Sequence, residues 1–225
     1  MRNLSEYETI LWDLDGTLLD SFGVYQEVLA EVLPKHDLQI PTEAVLRNNF
    51  HGSLDDSISN ALGGLNEAQL AAVVEGFLEV QNDHYEVVEH HLFDDALQLA
   101  RKLGALGAFQ VIVTNRAHIG RLNASPRSIV ENSSLKALIG RVICGDDSEH
   151  RKPHVAVVDD LIQEGVLVPN KTLVIGDQFV DALFARNLGA DAVVVQRHEE
   201  LAHLDQLGDG WQKHVTIRQN LTRIQ

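Results

Sequence analysis

Two aspartates two residues apart, Asp13 and Asp15, close the short apolar run Ile10-Leu11-Trp12, and Gly16-Thr17 follows them. Carboxylates repel one another and are costly to take out of water. Two of them converging at a strand end imply a bound cation, a shared proton or a reaction intermediate. Asp and Gly are also common turn residues, so this segment alone decides nothing. Three later clusters repeat the pattern of polar residues behind an apolar run. Thr114-Asn115 follows Val111-Ile112-Val113. Gly145-Asp146-Asp147 and then Arg151-Lys152-Pro153 follow Val142-Ile143-Cys144. Gly176-Asp177-Gln178 follows Leu173-Val174-Ile175, with Asp181 four residues after Asp177. That spacing puts Asp177 and Asp181 one turn apart on one helix face. Taken singly, Asp177 suits a helix N-cap and Lys152-Pro153 an ordinary first helical turn. Taken together, the clusters supply four carboxylates, one Lys, one hydroxyl and one amide.

The elements that must position these groups are legible in the apolar pattern. Runs rich in Val and Ile at residues 10–12, 109–113, 142–144, 173–175 and 192–195 read as buried strands. Segments of helical period lie between most of them, such as Ala96-Leu99-Ala100-Leu103 and Val155-Val158-Leu161-Ile162. Alternation of this kind predicts an α/β fold, a parallel sheet with helices on both faces. Ligands of such sheets bind beyond the carboxyl ends of the strands, where all four polar clusters fall. Residues 21–91 break the rhythm, with helical patterns and no strand. Tyr25, Val28, Leu29, Val32 and Leu33 share one helix face. Leu54, Ile58, Ala61 and Leu62 share a second, with Ser53 as its N-cap. Leu70, Val73, Val74 and Phe77 share a third, opened by Asn66 with Gln69 three residues on. The expected division is a core of residues 1–20 and 92–225 with a helical domain of residues 21–91 inserted after the first strand. Trp211, Val215, Ile217, Leu221 and Ile224 predict a tail packed on the core, with one more strand near residues 214–217.

The chain has 225 residues, 44% of them hydrophobic, and a formal charge of −15. That charge disfavours duplex nucleic acid and anionic membrane surfaces as partners. An anionic substrate would meet a repulsive field and need a local cation. No run approaches the roughly 20 apolar residues of a membrane span, and residues 1–8 lack a signal-peptide core. The single Cys, Cys144, allows no internal disulfide and suits the cytoplasm; it is expected in the core. Asp146 and Asp147 read as solvated loop acids. The adjacent His90-His91 do not share a helix face, so no His metal site is expected. A monomer or a homodimer fits equally.

Four clusters in this order, with this spacing, resemble the motifs of the haloacid dehalogenase superfamily over nearly the whole chain. Asp13-Leu14-Asp15-Gly16-Thr17 is similar to its first motif, Thr114 to its second, Lys152 to its third, and Gly176-Asp177 with Asp181 to its fourth. The resemblance implies a Rossmann-like core and makes the helical insert a cap. Phe50-His51-Gly52-Ser53-Leu54 resembles the substrate loop in caps of the phosphoglycolate phosphatase and β-phosphoglucomutase kind. The implied roles are nucleophile for Asp13, general acid and base for Asp15, phosphoryl binding for Thr114, and charge compensation for Lys152. Mg²⁺ would be held by Asp13, the carbonyl of Asp15 and Asp177, with Asp181 further out. Asn115 and Arg116 in the core, and Arg47 and His51 in the cap, are the candidates to touch substrate. Gly23 and the linkers are candidate hinges for cap closure. Asp15, Asp177 and Asp181 favour phosphoryl transfer over dehalogenation, and Gln178 departs from the small polar residue more usual there. The expected activity is Mg²⁺-dependent hydrolysis of a small phosphorylated metabolite. A phosphomutase and a non-catalytic regulatory protein on the same fold are the alternatives.

Overall fold

The structure is a computed structural model, and it describes residues 2–50, 53–118, 122–197, 204–222 and 224. Its centre is a parallel sheet of β1 (Thr9–Trp12), β2 (Phe109–Val113), β3 (Arg141–Ile143), β4 (Thr172–Gly176), β5 (Asp191–Val195) and β6 (Val215–Arg218). The strand order is β3-β2-β1-β4-β5-β6. Leu11 stands opposite both Val111 of β2 and Val174 of β4. Because side chains alternate along a strand, this register sorts the apolar residues into two layers. Ile10, Trp12, Ile112, Leu173, Ile175, Val193 and Val195 face one core; Leu11, Val111, Val113, Val174, Ala192 and Val194 face the other. Helix α5 (Asp94–Ala105) covers the first layer through Ala96, Leu97, Leu99, Ala100 and Leu103. Helix α6 (Pro126–Glu131) adds Ile129 and Val130 to that layer, and helices α7 (Asp159–Gln163) and α8 (Phe179–Leu188) cover the second through Leu161, Ala182, Phe184, Ala185 and Leu188. Burial of each large side chain contributes about 1.5–3 kcal/mol.

Between β1 and α5 lie α1 (Ser21–Val32), α2 (Glu43–Asn49), α3 (Leu54–Leu62), α4 (Glu67–His84) and a 3₁₀ segment, Tyr85–His91. Their starts follow local rules. Ser53 accepts from the Asp56 amide and Asn66 from the Gln69 amide, each returned by the other residue's side chain, so both are capping boxes. The α1 stripe of Tyr25, Val28, Leu29, Val32 and Leu33 is buried against Val73 and Phe77 of α4. The chain leaves and re-enters the core through two paired linkers. The Asp20 amide donates to the His91 carbonyl at 2.7 Å and the Phe93 amide to the Leu18 carbonyl at 2.9 Å, with an antiparallel bridge between Leu19 and Leu92.

Three local expectations shift. β3 ends at Ile143, one residue before buried Cys144. The 155–162 pattern splits into a 3₁₀ turn, Val155–Val158, and α7. Gly23 lies inside α1, where a Cβ would stand 2.7 Å from Asp20 Oδ2; it makes room for the Asp20 N-cap. No described helix is long and apolar enough to cross a membrane.

Candidate active site

β1 sits at the centre of the sheet, where the strand order turns back on itself. The strand ends beside it therefore converge on one crevice. The Asp13 amide donates to the Ile175 carbonyl at 2.8 Å, so Asp13 continues the ladder and projects at the rim. The chain then folds back, with the Gly16 amide donating to the Leu19 carbonyl at 2.8 Å. Gly16 adopts φ +77°, and a Cβ there would lie 2.1 Å from Asp177 Oδ2. Glycine is required twice over, by backbone conformation and by the carboxylate against it. Gly176, at the end of β4, is similar in space only: a Cβ would lie 2.2 Å from the Asp181 carboxyl carbon. The N-cap of α8 is Gln178 and not Asp177; its amide donates to Asp181 Oδ2 at 3.1 Å. Capping thus leaves Asp177 free of the helix and turned toward the rim.

Lys152 Nζ donates to Asp13 Oδ1 at 2.5 Å and to Asp181 Oδ1 at 2.7 Å, and its side chain is 3% exposed. Carboxylate oxygens of Asp13, Asp177 and Asp181 all lie within 4.8 Å of one another. Burial pushes the Asp13 carboxyl up to about 7; Lys152 opposes that shift, while Asp181 and Asp15 add to it. Burial, then the charges of Asp13, Asp181 and Asp15, hold the Asp177 carboxyl well above the usual carboxylate range. Burial acts to lower the Lys152 ammonium, but Asp13 and Asp181 outweigh it and raise it. One Lys does not neutralise three carboxylates. A donor set made of oxygen alone fits a hard cation such as Mg²⁺.

The second strand-end cluster supports this one. Thr114 is buried, and its Oγ1 accepts from the Arg116 amide at 3.0 Å. Asn115 uses both ends of its side chain on the Lys152 backbone, accepting from the amide at 2.9 Å and donating to the carbonyl at 3.1 Å. Asn115 thereby positions Lys152. Arg116 grips Asp15 in a fork, Nη2 to Oδ1 at 2.5 Å and Nε to Oδ2 at 3.0 Å. The same guanidinium donates to the Tyr85 hydroxyl at 3.3 Å and the Ala124 carbonyl at 3.2 Å. Tyr85 begins the last 3₁₀ segment of the cap, so Arg116 joins cap and core at Asp15.

The cap candidates lie differently. The Arg47 guanidinium stacks 3.9 Å over the Phe22 ring and pairs with Glu43 at 2.7 Å. His51 lies outside the described residues. Asp146 and Asp147 are loop clamps: Asp146 accepts from the His118 amide, and Asp147 pairs with Arg127 and accepts from the Cys144 amide.

Sequence reasoning missed Tyr85. It also missed Arg197, just after β5. Arg197 donates to the Gly16 and Thr17 carbonyls at 3.1 Å each, pairs with Asp95 at 2.9 Å, and stacks 3.6 Å from the Phe93 ring. It ties the Asp15-Gly16-Thr17 loop to the start of α5 and the returning linker. Its position after an apolar strand was the one available signal. The i, i+4 pair His150 and His154 also escaped notice; their rings stack at 3.9 Å beside the Lys152 loop.

A family model described as haloacid dehalogenase-like hydrolase matches residues 10–195. The chain belongs to this family. Among curated proteins it is 23% identical over 190 residues to the pyrophosphatase PpaX of Oceanobacillus iheyensis, covering 83% of this chain and 82% of that one. Among solved structures it is similar to a predicted phosphoglycolate phosphatase from Haemophilus somnus 129pt, with a TM-score of 0.72, 19% identity, and coverage of 97% and 96%. CbbY from Rhodobacter sphaeroides, in complex with phosphate, gives a TM-score of 0.66 at 15% identity, with 96% of each chain covered. At such identities the structures speak for the fold. Their coverage takes in the helical insert together with the core, so the cap is part of the shared architecture.

Proposed function

We propose that this hydrolase is a Mg²⁺-dependent phosphatase acting on a small phosphorylated metabolite through an aspartyl-phosphate. The observation that carries this reading is Lys152, held between Asp13 and Asp181 with Asp177 alongside. Asp13, the Asp15 carbonyl and Asp177 would hold the metal, with Asp181 further out. The metal supplies charge compensation that lets an anionic nucleophile approach an anionic phosphoryl group.

The chain's own residues do the rest. Asp13 attacks phosphorus, forming an oxygen–phosphorus bond as the bond to the leaving oxygen breaks. Asp15 gives that oxygen a proton, then takes one from the water that attacks the aspartyl-phosphate. Inorganic phosphate leaves and the Asp13 carboxylate is restored. Turnover requires Asp15 to exchange an Arg116 hydrogen bond for one to the leaving group. Thr114 holds a phosphoryl oxygen, and Lys152 offsets charge that develops beside Asp13. Asn115 acts through Lys152. Arg116, and in the cap Arg47 and His51, are the groups to meet the leaving group as the cap, residues 21–91, closes over the core.

The relatives' names support phosphate chemistry and widen the assay. Phosphate release from pyrophosphate, phosphoglycolate, sugar phosphates and p-nitrophenyl phosphate is measured with Mg²⁺ and with EDTA, beside Asp13→Asn. Release that needs Mg²⁺ and disappears in the variant is expected. Substantial turnover by Asp13→Asn would refute the mechanism.

A further inference from the structure

A second cluster of ligating side chains lies at the base of the cap. His84, the last residue of α4, has both ring nitrogens facing carboxylates of α1: Nδ1 is 3.3 Å from Glu27 Oε2 and Nε2 is 2.9 Å from Glu31 Oε1. A neutral imidazole carries one donor and one acceptor nitrogen, and carboxylates only accept. A neutral ring can thus donate to only one of the two carboxylates, and its other nitrogen is left as an acceptor facing a carboxylate oxygen, an arrangement that a cation satisfies. His91, on the returning linker, approaches the same point. Its ring centroid is 5.9 Å from that of His84, and ligand atoms of Glu27, His84 and His91 all lie within 4.8 Å of one another.

We propose that Glu27, His84 and His91 form a transition-metal site of the Zn²⁺ class at the base of the cap, apart from the carboxylate cluster at the strand ends. Two imidazoles and one carboxylate make a nitrogen-rich set that suits Zn²⁺, whereas Mg²⁺ prefers oxygen. Glu31 accepts a hydrogen bond from Nε2–H of His84, which leaves Nδ1 as the nitrogen that meets the metal. The site joins α1, the end of α4 and the returning linker, whose His91 carbonyl accepts the Asp20 amide at 2.7 Å. An ion there braces the paired linkers on which the cap is carried.

The test is titration of the full chain with Zn²⁺ by calorimetry in excess Mg²⁺, with Co²⁺ absorption reporting nitrogen ligation. One Zn²⁺ is expected to bind, with affinity falling at least ~10-fold in His84→Ala, His91→Ala and Glu27→Gln. His150→Ala should leave it unchanged. Glu27 is exposed, so Glu27→Gln keeps the test open even if a histidine variant fails to fold. No zinc binding, unchanged affinity in Glu27→Gln, or loss in His150→Ala would each overturn the site.

Discussion

Replacing Lys152 with Gln tests the electrostatics of the strand-end cluster. The ammonium is 3% exposed, and its partners Asp13 and Asp181 have side chains 11% and 2% exposed. Removing one member of a buried ion pair leaves uncompensated charge and costs about 3–5 kcal/mol. For a chain of this size that is a drop of roughly 6–20 °C in the unfolding midpoint. Two further features separate this mechanism from simple loss of packing. The Asp13 and Asp177 carboxyls are already raised in the folded state, Asp13 to about 7. The folded protein therefore binds protons more tightly than the unfolded chain, and metal-free stability falls as pH rises from the unfolded carboxyl value near about 4 toward 7. Lys152 opposes that rise at Asp13, so the variant's pH dependence should be steeper and its deficit at pH 5 smaller than at pH 7.5. Added Mg²⁺ should return part of the lost stability by restoring positive charge. The assay is thermal and urea unfolding of both proteins in EDTA and in Mg²⁺ at the two pH values. A deficit under about 1 kcal/mol, or one indifferent to pH and Mg²⁺, would refute the reasoning.

Other perturbations test the supports of the site. Gly16→Ala forces a side chain into left-handed backbone, at about 1–2 kcal/mol, and puts its Cβ against Asp177 Oδ2. A lower unfolding midpoint and a raised Mg²⁺ requirement for turnover are the expected readouts. Arg197→Gln breaks the tie between the Asp15–Thr17 loop and Asp95; about 2–4 kcal/mol of stability should go, with a fall in kcat. Burial acts to raise the Asp95 carboxyl, but its Arg197 hydrogen bonds prevail and hold it below the usual value. That contribution is present above the unfolded carboxyl pKa and fades as pH falls through the lower folded one, so the Arg197→Gln deficit should narrow in acid. Arg197→Lys, lacking the planar fork, should recover only part of both losses.

Much of this architecture was legible because its causes are local. Continuous apolar runs rich in Val and Ile marked the strands, and Ser53 and Asn66 opened their helices through hydrogen bonds spanning three residues. The choice at Asp177 has a local cause too: Asp suits an N-cap by type, yet Gln178 takes that place because the Asp181 side chain answers its amide. The partners of Arg116 and Arg197 were opaque for the opposite reason. Arg116 meets Asp15 across 101 residues of chain, and Arg197 meets the Gly16 carbonyl across 181. No spacing rule reaches that far.

By itself the sequence determined where the five apolar strands run to within a residue, that helices are inserted after the first of them, and which polar side chains follow each strand. Alternation, helical period and capping act over a few residues and are written in the order of the chain. Tertiary structure alone decided that Lys152 stands between Asp13 and Asp181, that Asn115 serves the Lys152 backbone, and that Asp15 is held by an arginine touching the cap. Those facts depend on strand order and register, which bring distant loops to one crevice, where buried charges must find partners.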